Sequence, residues 1–137
     1  MPDSVAIFNA MTRIFLSLGA ILGGLSVAFG AFGTHILRSN ISERSLLIFT
    51  TGVRYQMFHA LALLIVALLI NSSESPPSTL ITSGWLFIIG VVIFSGSLYT
   101  LSLTGITFLG MVAPLGAVAL MLGWAALAVV AWNWKNG

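Results

Sequence analysis

His59 stands three residues after Gln56 and four after Tyr55, a spacing that puts the three side chains on one face of a helix. The other histidine, His35, closes an earlier apolar run. Two readings are open for such a set. Polar groups inside a membrane are costly and normally face a helix bundle, so the set fits an interhelical hydrogen-bond cluster that fixes packing. Alternatively, His35 and His59 sit on adjacent antiparallel helices and bind a haem, a metal, or the polar head of a quinone or lipid. The candidate residues for either role are His35, Arg54, Tyr55, Gln56, His59, Ser95, Ser97 and Tyr99. Desolvation disfavours a charged imidazole in hydrocarbon, so His59 is expected to be neutral, one ring nitrogen donating and the other accepting.

Hydrolysis would need Ser95 or Ser97, in the segment FSGSLY, as nucleophile with His59 as base. No acid is available to orient that histidine. The three carboxylates, Asp3, Glu43 and Glu74, lie outside the apolar runs. No catalytic residue, cofactor or dedicated metal site is therefore assigned, and a non-enzyme is expected. Arg54 cannot shed its charge and is expected to snorkel to the nearer membrane surface.

The elements that carry these residues follow from composition. The chain has 137 residues, 58% apolar and only 6% charged, with five Lys+Arg against three Asp+Glu. A soluble domain usually carries about 25% charged residues, so no soluble surface can be built here, and a mean hydropathy of +1.10 agrees. The pI of 9.7 rests on a net charge of +2 without a basic cluster, which excludes a nucleic-acid partner. Absence of cysteine removes disulfides and thiolate chemistry.

A bilayer core of about 30 Å needs about 20 apolar residues in a helix. Four runs qualify, at about 14–33, 53–70, 80–103 and 108–132. They are continuously apolar rather than alternating, which argues against a barrel. The expected fold is all-α and integral to the membrane, a four-transmembrane-helix bundle in a single domain over 1–137 with a short N-terminal tail at 1–12. Residues 42–52 mix charged and apolar side chains and read as a short interfacial helix. NSSESPPST, 71–79, is a polar turn broken by Pro76 and Pro77, and the link at Thr104–Ile106 is short enough to force a helical hairpin. The first run is longer than a signal-peptide core, so it reads as a retained helix, and Met11 heads a segment (MTRIF) that suits an alternative start, making 1–10 dispensable.

Four spans place both termini on one side, here side A, and the first and third links on side B. Basic residues divide almost evenly, with a slight excess on side B that favours it as the cytoplasmic face. Trp85, Trp124, Trp132 and Trp134 fall toward side A as an aromatic belt anchored by Lys135. The polar candidates fall toward side B, and Pro114 is expected to kink the fourth helix and widen that half. Helices in lipid pack through small residues, so Gly19, Gly23, Gly30, Gly96, Gly116 and Gly123 are the expected packing positions, and Gly19 with Gly23 offers a dimer face.

Four segments carry a family resemblance: GAFGTHIL at Gly30–Leu37, TGVRYQMFHALAL at Thr51–Leu63, FSGSLYTLSLTG at Phe94–Gly105 and APLGAVALMLGW at Ala113–Trp124. Together they resemble the small inner-membrane proteins grouped as domain of unknown function 423, the YgdD type, whose animal relative is transmembrane protein 256. Ala113 and Ala117 depart from the Thr and second Gly common there. The resemblance implies a four-helix multi-pass protein of the bacterial plasma or inner membrane and supplies no activity. The expected role is a non-enzymatic accessory, assembly or stability factor of a larger membrane complex, with the lipid bilayer and that complex, or further copies of the chain, as partners. The alternative is a binding module for haem, quinone or lipid at the polar cluster, and after it a small oligomeric transporter.

Overall fold

The computed structural model describes residues 2–135. Four helices follow one another: α1 at Pro2–His35, α2 at Glu43–Ser72, α3 at Ser78–Thr104 and α4 at Leu109–Trp132. A 3-10 turn at Leu37–Ser39 interrupts the first link. At 1.5 Å per residue these helices run from about 36 to about 51 Å, longer than a hydrocarbon core of about 30 Å. All four are long and apolar enough to span a membrane, and there is no sheet among the described residues.

Two helix starts differ from the sequence expectation. Residues 43–52 are the first turns of α2 and not a separate interfacial helix. Ser42 caps them by accepting a hydrogen bond from the Ser45 amide at 3.1 Å. Phe49 is buried, and a Cβ on Gly33 would lie 3.3 Å from its ring, so tertiary packing claims this stretch for the bundle. Residues 2–12 likewise continue α1 and are not a loose tail, with Phe8 and Met11 packed against the core.

The helices pack in chain order, α1 on α2, α2 on α3 and α3 on α4. α2 is the most buried of the four and α1 the least. The core gathers Phe15, Leu63, Val66, Ile70, Leu80 and Phe87. Phe15 reaches from α1 across to α3, where Gly84 offers no side chain and the phenyl ring fills the space. Trp85 meets the same ring edge-on, with centroids 5.5 Å apart.

α3 and α4 close on each other through glycines. A Cβ on Gly90 would lie 3.0 Å from the Leu120 nitrogen, one on Gly116 would strike the Phe94 backbone, and one on Gly123 would lie 2.7 Å from the Phe87 ring. Gly105, with φ +71, ends α3 in the left-handed conformation that favours glycine, and its amide bonds the Leu101 carbonyl at 2.8 Å. α4 continues through Pro114, and the contact at Gly116 holds the side B half of the hairpin closed where widening was expected.

Among the other expected packing glycines, Gly19 lies against Leu64 and Ala60 of α2, whereas Gly23 and Gly30 make only ordinary contacts at 3.9 and 3.7 Å. Gly96 is a correction: a Cβ there would meet nothing within 4 Å. It stands two residues from Phe94, about 200° around a helix of 3.6 residues per turn, so it turns away from the α4 contact. Gly52 and Gly84 pack tightly instead.

Four spans return the chain to its starting side. Tags at the two termini are therefore expected to report one compartment in a cysteine-accessibility assay. Opposite compartments would reject the four-span topology.

Candidate functional site

The polar candidates are organised around α2. Gln56 is 3% exposed and bonds two neighbours at once. Its Nε2 donates to the Leu22 carbonyl of α1 at 2.9 Å, and its Oε1 accepts from the Tyr99 hydroxyl of α3 at 2.6 Å. Ser26 donates to the same Leu22 carbonyl at 2.8 Å. Ser95, fully buried on α3, donates to the Gly52 carbonyl at 2.7 Å. Gly52 makes this geometry available, because a Cβ there would lie 2.8 Å from the Tyr99 ring. With none present, the ring crosses α2 and its hydroxyl reaches Gln56.

His59, 5% exposed, ties α2 to α4. The Trp124 indole Nε1 donates to His59 Nε2 at 2.9 Å, and His59 Nδ1 lies 2.7 Å from the Tyr55 carbonyl oxygen. An indole N–H only donates and a carbonyl only accepts. These partners therefore assign a neutral imidazole protonated on Nδ1, with both nitrogens engaged. Phe87 and Trp124 pack against the ring, with centroids 5.5 and 5.8 Å from it.

Tyr55 belongs to the cluster, its ring stacked on His59 with centroids 6.2 Å apart, and the other candidates stand apart from it. Tyr55 contributes its carbonyl, while its exposed ring packs on Phe94 with centroids 5.0 Å apart. Ser97 is buried but lies three residues after Phe94 and four before Leu101, on the α3 stripe that meets α4 rather than α2. Ser95 and Ser97 thus serve different neighbours. Arg54 is exposed on the outer side of α2. His35 is exposed at the side B end of α1. Gly33, two residues before it, lies level with Phe49, and Phe49 to His59 is ten residues, about 15 Å of helix. Two histidine rings that far apart cannot ligate one metal or haem iron.

Nor do the polar residues gather at side B. Trp124 is eight residues from the side A end of α4 and fifteen from its start, about 12 and 22 Å. The hydrogen-bonded seam therefore runs through the middle of the bundle, and Trp124 belongs to it and not to an aromatic belt. Trp132, 90% exposed, and Trp134 remain at the side A end. Sequence reasoning passed over Trp124, Gly52 and the Leu22 carbonyl. A signal existed for the first: a donor-only indole more than two turns inside a span needs an acceptor within the bundle.

No buried side-chain nitrogen or oxygen among the described residues lacks a partner. What this arrangement does chemically is hold helices together. The Ser95 hydroxyl donates its hydrogen bond to the Gly52 carbonyl, and both His59 nitrogens are hydrogen-bonded. If the His59–Trp124 bond contributes, a double-mutant cycle with His59→Phe and Trp124→Phe should return a coupling of about 0.6 kcal/mol and at most about 1.7. His59→Gln, which keeps a donor and an acceptor, should recover part of the loss. Strictly additive unfolding energies in detergent would show that the bond contributes nothing.

Four apolar helices joined by an internally satisfied polar seam define a multi-pass integral membrane protein. The chain belongs to the family described as "Protein of unknown function (DUF423)", matched over residues 29–117. It is similar to the UPF0382 membrane protein YwdK of Bacillus subtilis (strain 168), with 45% identity over 119 residues that cover 87% of this chain and 96% of that protein. The UPF0382 membrane protein SERP0230 of Staphylococcus epidermidis is 38% identical over 117 residues, 85% of this chain and 93% of the relative. SAB0533 of Staphylococcus aureus, also a UPF0382 membrane protein, is 38% identical over 124 residues, 90% and 99% of the two chains. No solved structure matches.

Proposed function

We propose that this protein is a non-enzymatic accessory factor that assembles or stabilises a larger membrane complex through its outer helices. The observation that carries the reading is the division between inside and outside. Gln56, Ser95, Tyr99, His59 and Trp124 within the bundle hold α1, α3 and α4 to α2, while α1 keeps an outward face of small residues. Ala20, Gly24 and Ala28 recur every four residues on that face, all exposed, and a Cβ on Gly24 would meet nothing within 4 Å. Lipid covers apolar side chains as well as protein does, so close backbone approach at small residues is what favours a protein neighbour in a membrane.

Native mass spectrometry of the chain released in mild detergent tests this. The expected result is a stoichiometric second membrane protein, retained by the parent and lost from Gly24→Leu at unchanged thermal stability. A chain carrying a stoichiometric haem or quinone and no protein would overturn the reading in favour of a ligand-binding module. Complexes made only of further copies of the chain would replace it with self-association.

A further inference from the structure

The link between α1 and α2 leaves a groove at the side B end of the bundle, lined by Thr34, Arg38, Glu43, Leu46, Leu47 and Thr50. Its level is that of lipid headgroups, because the apolar run of α1 ends near Gly33 and that of α2 begins near Val53. Three features of the lining are unusual in combination. Arg38 and Glu43 share the groove with opposite charges, yet neither has an ion-pair partner among the described residues. The Thr34 and Thr50 hydroxyls donate to the Gly30 and Leu47 carbonyls, which leaves each oxygen only its capacity to accept. The rest is apolar, and the exposed residues Ala31 and Val27 continue the Thr34 face down α1 toward the membrane interior.

We propose that this groove holds the headgroup of a phospholipid bearing both a phosphate and a primary ammonium, with the phosphate on Arg38 and the ammonium on Glu43. The guanidinium supplies donors for phosphate oxygens. The carboxylate and the two accepting hydroxyl oxygens suit an N–H donor, and the α1 face guides an acyl chain. A headgroup with net negative charge and no ammonium meets Glu43 as a like charge. A choline headgroup has no N–H to donate.

The test is native mass spectrometry of the full chain in mild detergent with equal amounts of phosphatidylethanolamine, phosphatidylglycerol and phosphatidylcholine. The parent should retain phosphatidylethanolamine preferentially. Glu43→Gln should lower that retention about threefold, the scale of one partly exposed ion pair, and leave phosphatidylglycerol retention equal or higher. Arg38→Gln should lower both. Both residues are exposed at helix ends, and retention of phosphatidylglycerol by Glu43→Gln but not by Arg38→Gln separates lost recognition from lost folding. Equal retention of the three lipids by the parent, or phosphatidylethanolamine retention unchanged in either variant, overturns the proposal. So does soluble glycerophosphoethanolamine binding as tightly as the lipid, which would make the free headgroup the ligand.

Discussion

Gly116→Leu is expected to destabilise the bundle more than any other single glycine substitution, and Gly116→Ala should already be harmful. The reason is what a side chain would strike. At Gly116 a Cβ runs into the Phe94 backbone, which has no rotamer to change. Overpacking of a close-packed interior typically costs about 1–3 kcal/mol, and an obstacle made of backbone places this site at the upper end. Gly30→Ala, whose nearest neighbour would be a Val53 methyl at 3.7 Å, and Gly96→Leu, with nothing within 4 Å, are the controls and should unfold close to the parent. Thermal unfolding in one mild detergent ranks the variants. Equal midpoints for Gly116→Ala and Gly30→Ala would mean that α3 and α4 do not meet at this glycine.

Gln56→Leu should produce the largest loss among the polar residues, because one side chain carries bonds to two helices. Hydrogen bonds between membrane helices average about 0.6 kcal/mol and reach about 1.7, so losing both removes about 1–3 kcal/mol. Tyr99→Phe deletes only the hydroxyl and should cost about half as much. The two changes share a bond, so their combination should cost less than the sum of the singles. Unfolding energies that simply add would show that Tyr99 and Gln56 are not coupled. Indistinguishable stabilities of Gln56→Leu and the parent would remove the seam from any account of this fold.

Both expectations depend on contacts that the chain does not advertise. The glycines illustrate this. Gly90, Gly96 and Gly116 all lie inside long apolar runs, yet two sit at the closest approach of α3 and α4 and the third faces open space. Ser95 and Ser97 look equivalent in FSGSLY, but about 200° of helical rotation sends one to α2 and the other to the α4 side. His35 and His59 invite pairing because their helices are adjacent and antiparallel. They fall at different depths because α2 starts ten residues before its apolar run.

Composition, the apolar runs and the four segments that carry the family resemblance are enough to read the membrane, the number of spans, the order of the connections and the family. Eight charged residues cannot cover a soluble surface, and apolar runs of about 20 residues match the thickness of a bilayer. The polar set on α2 was equally legible, since Gln56 and His59 are conspicuous in an apolar helix. Which face of each helix meets another helix, and which meets lipid, emerges only from the packed bundle. In water, the hydrophobic stripe of a helix marks its buried face. Here protein interior and lipid are both apolar, so that stripe disappears, and only the close approach of backbones and the pairing of polar groups distinguish inside from outside. Trp124 shows the consequence: by composition it belongs to an aromatic belt, and by contact it is the donor that fixes His59.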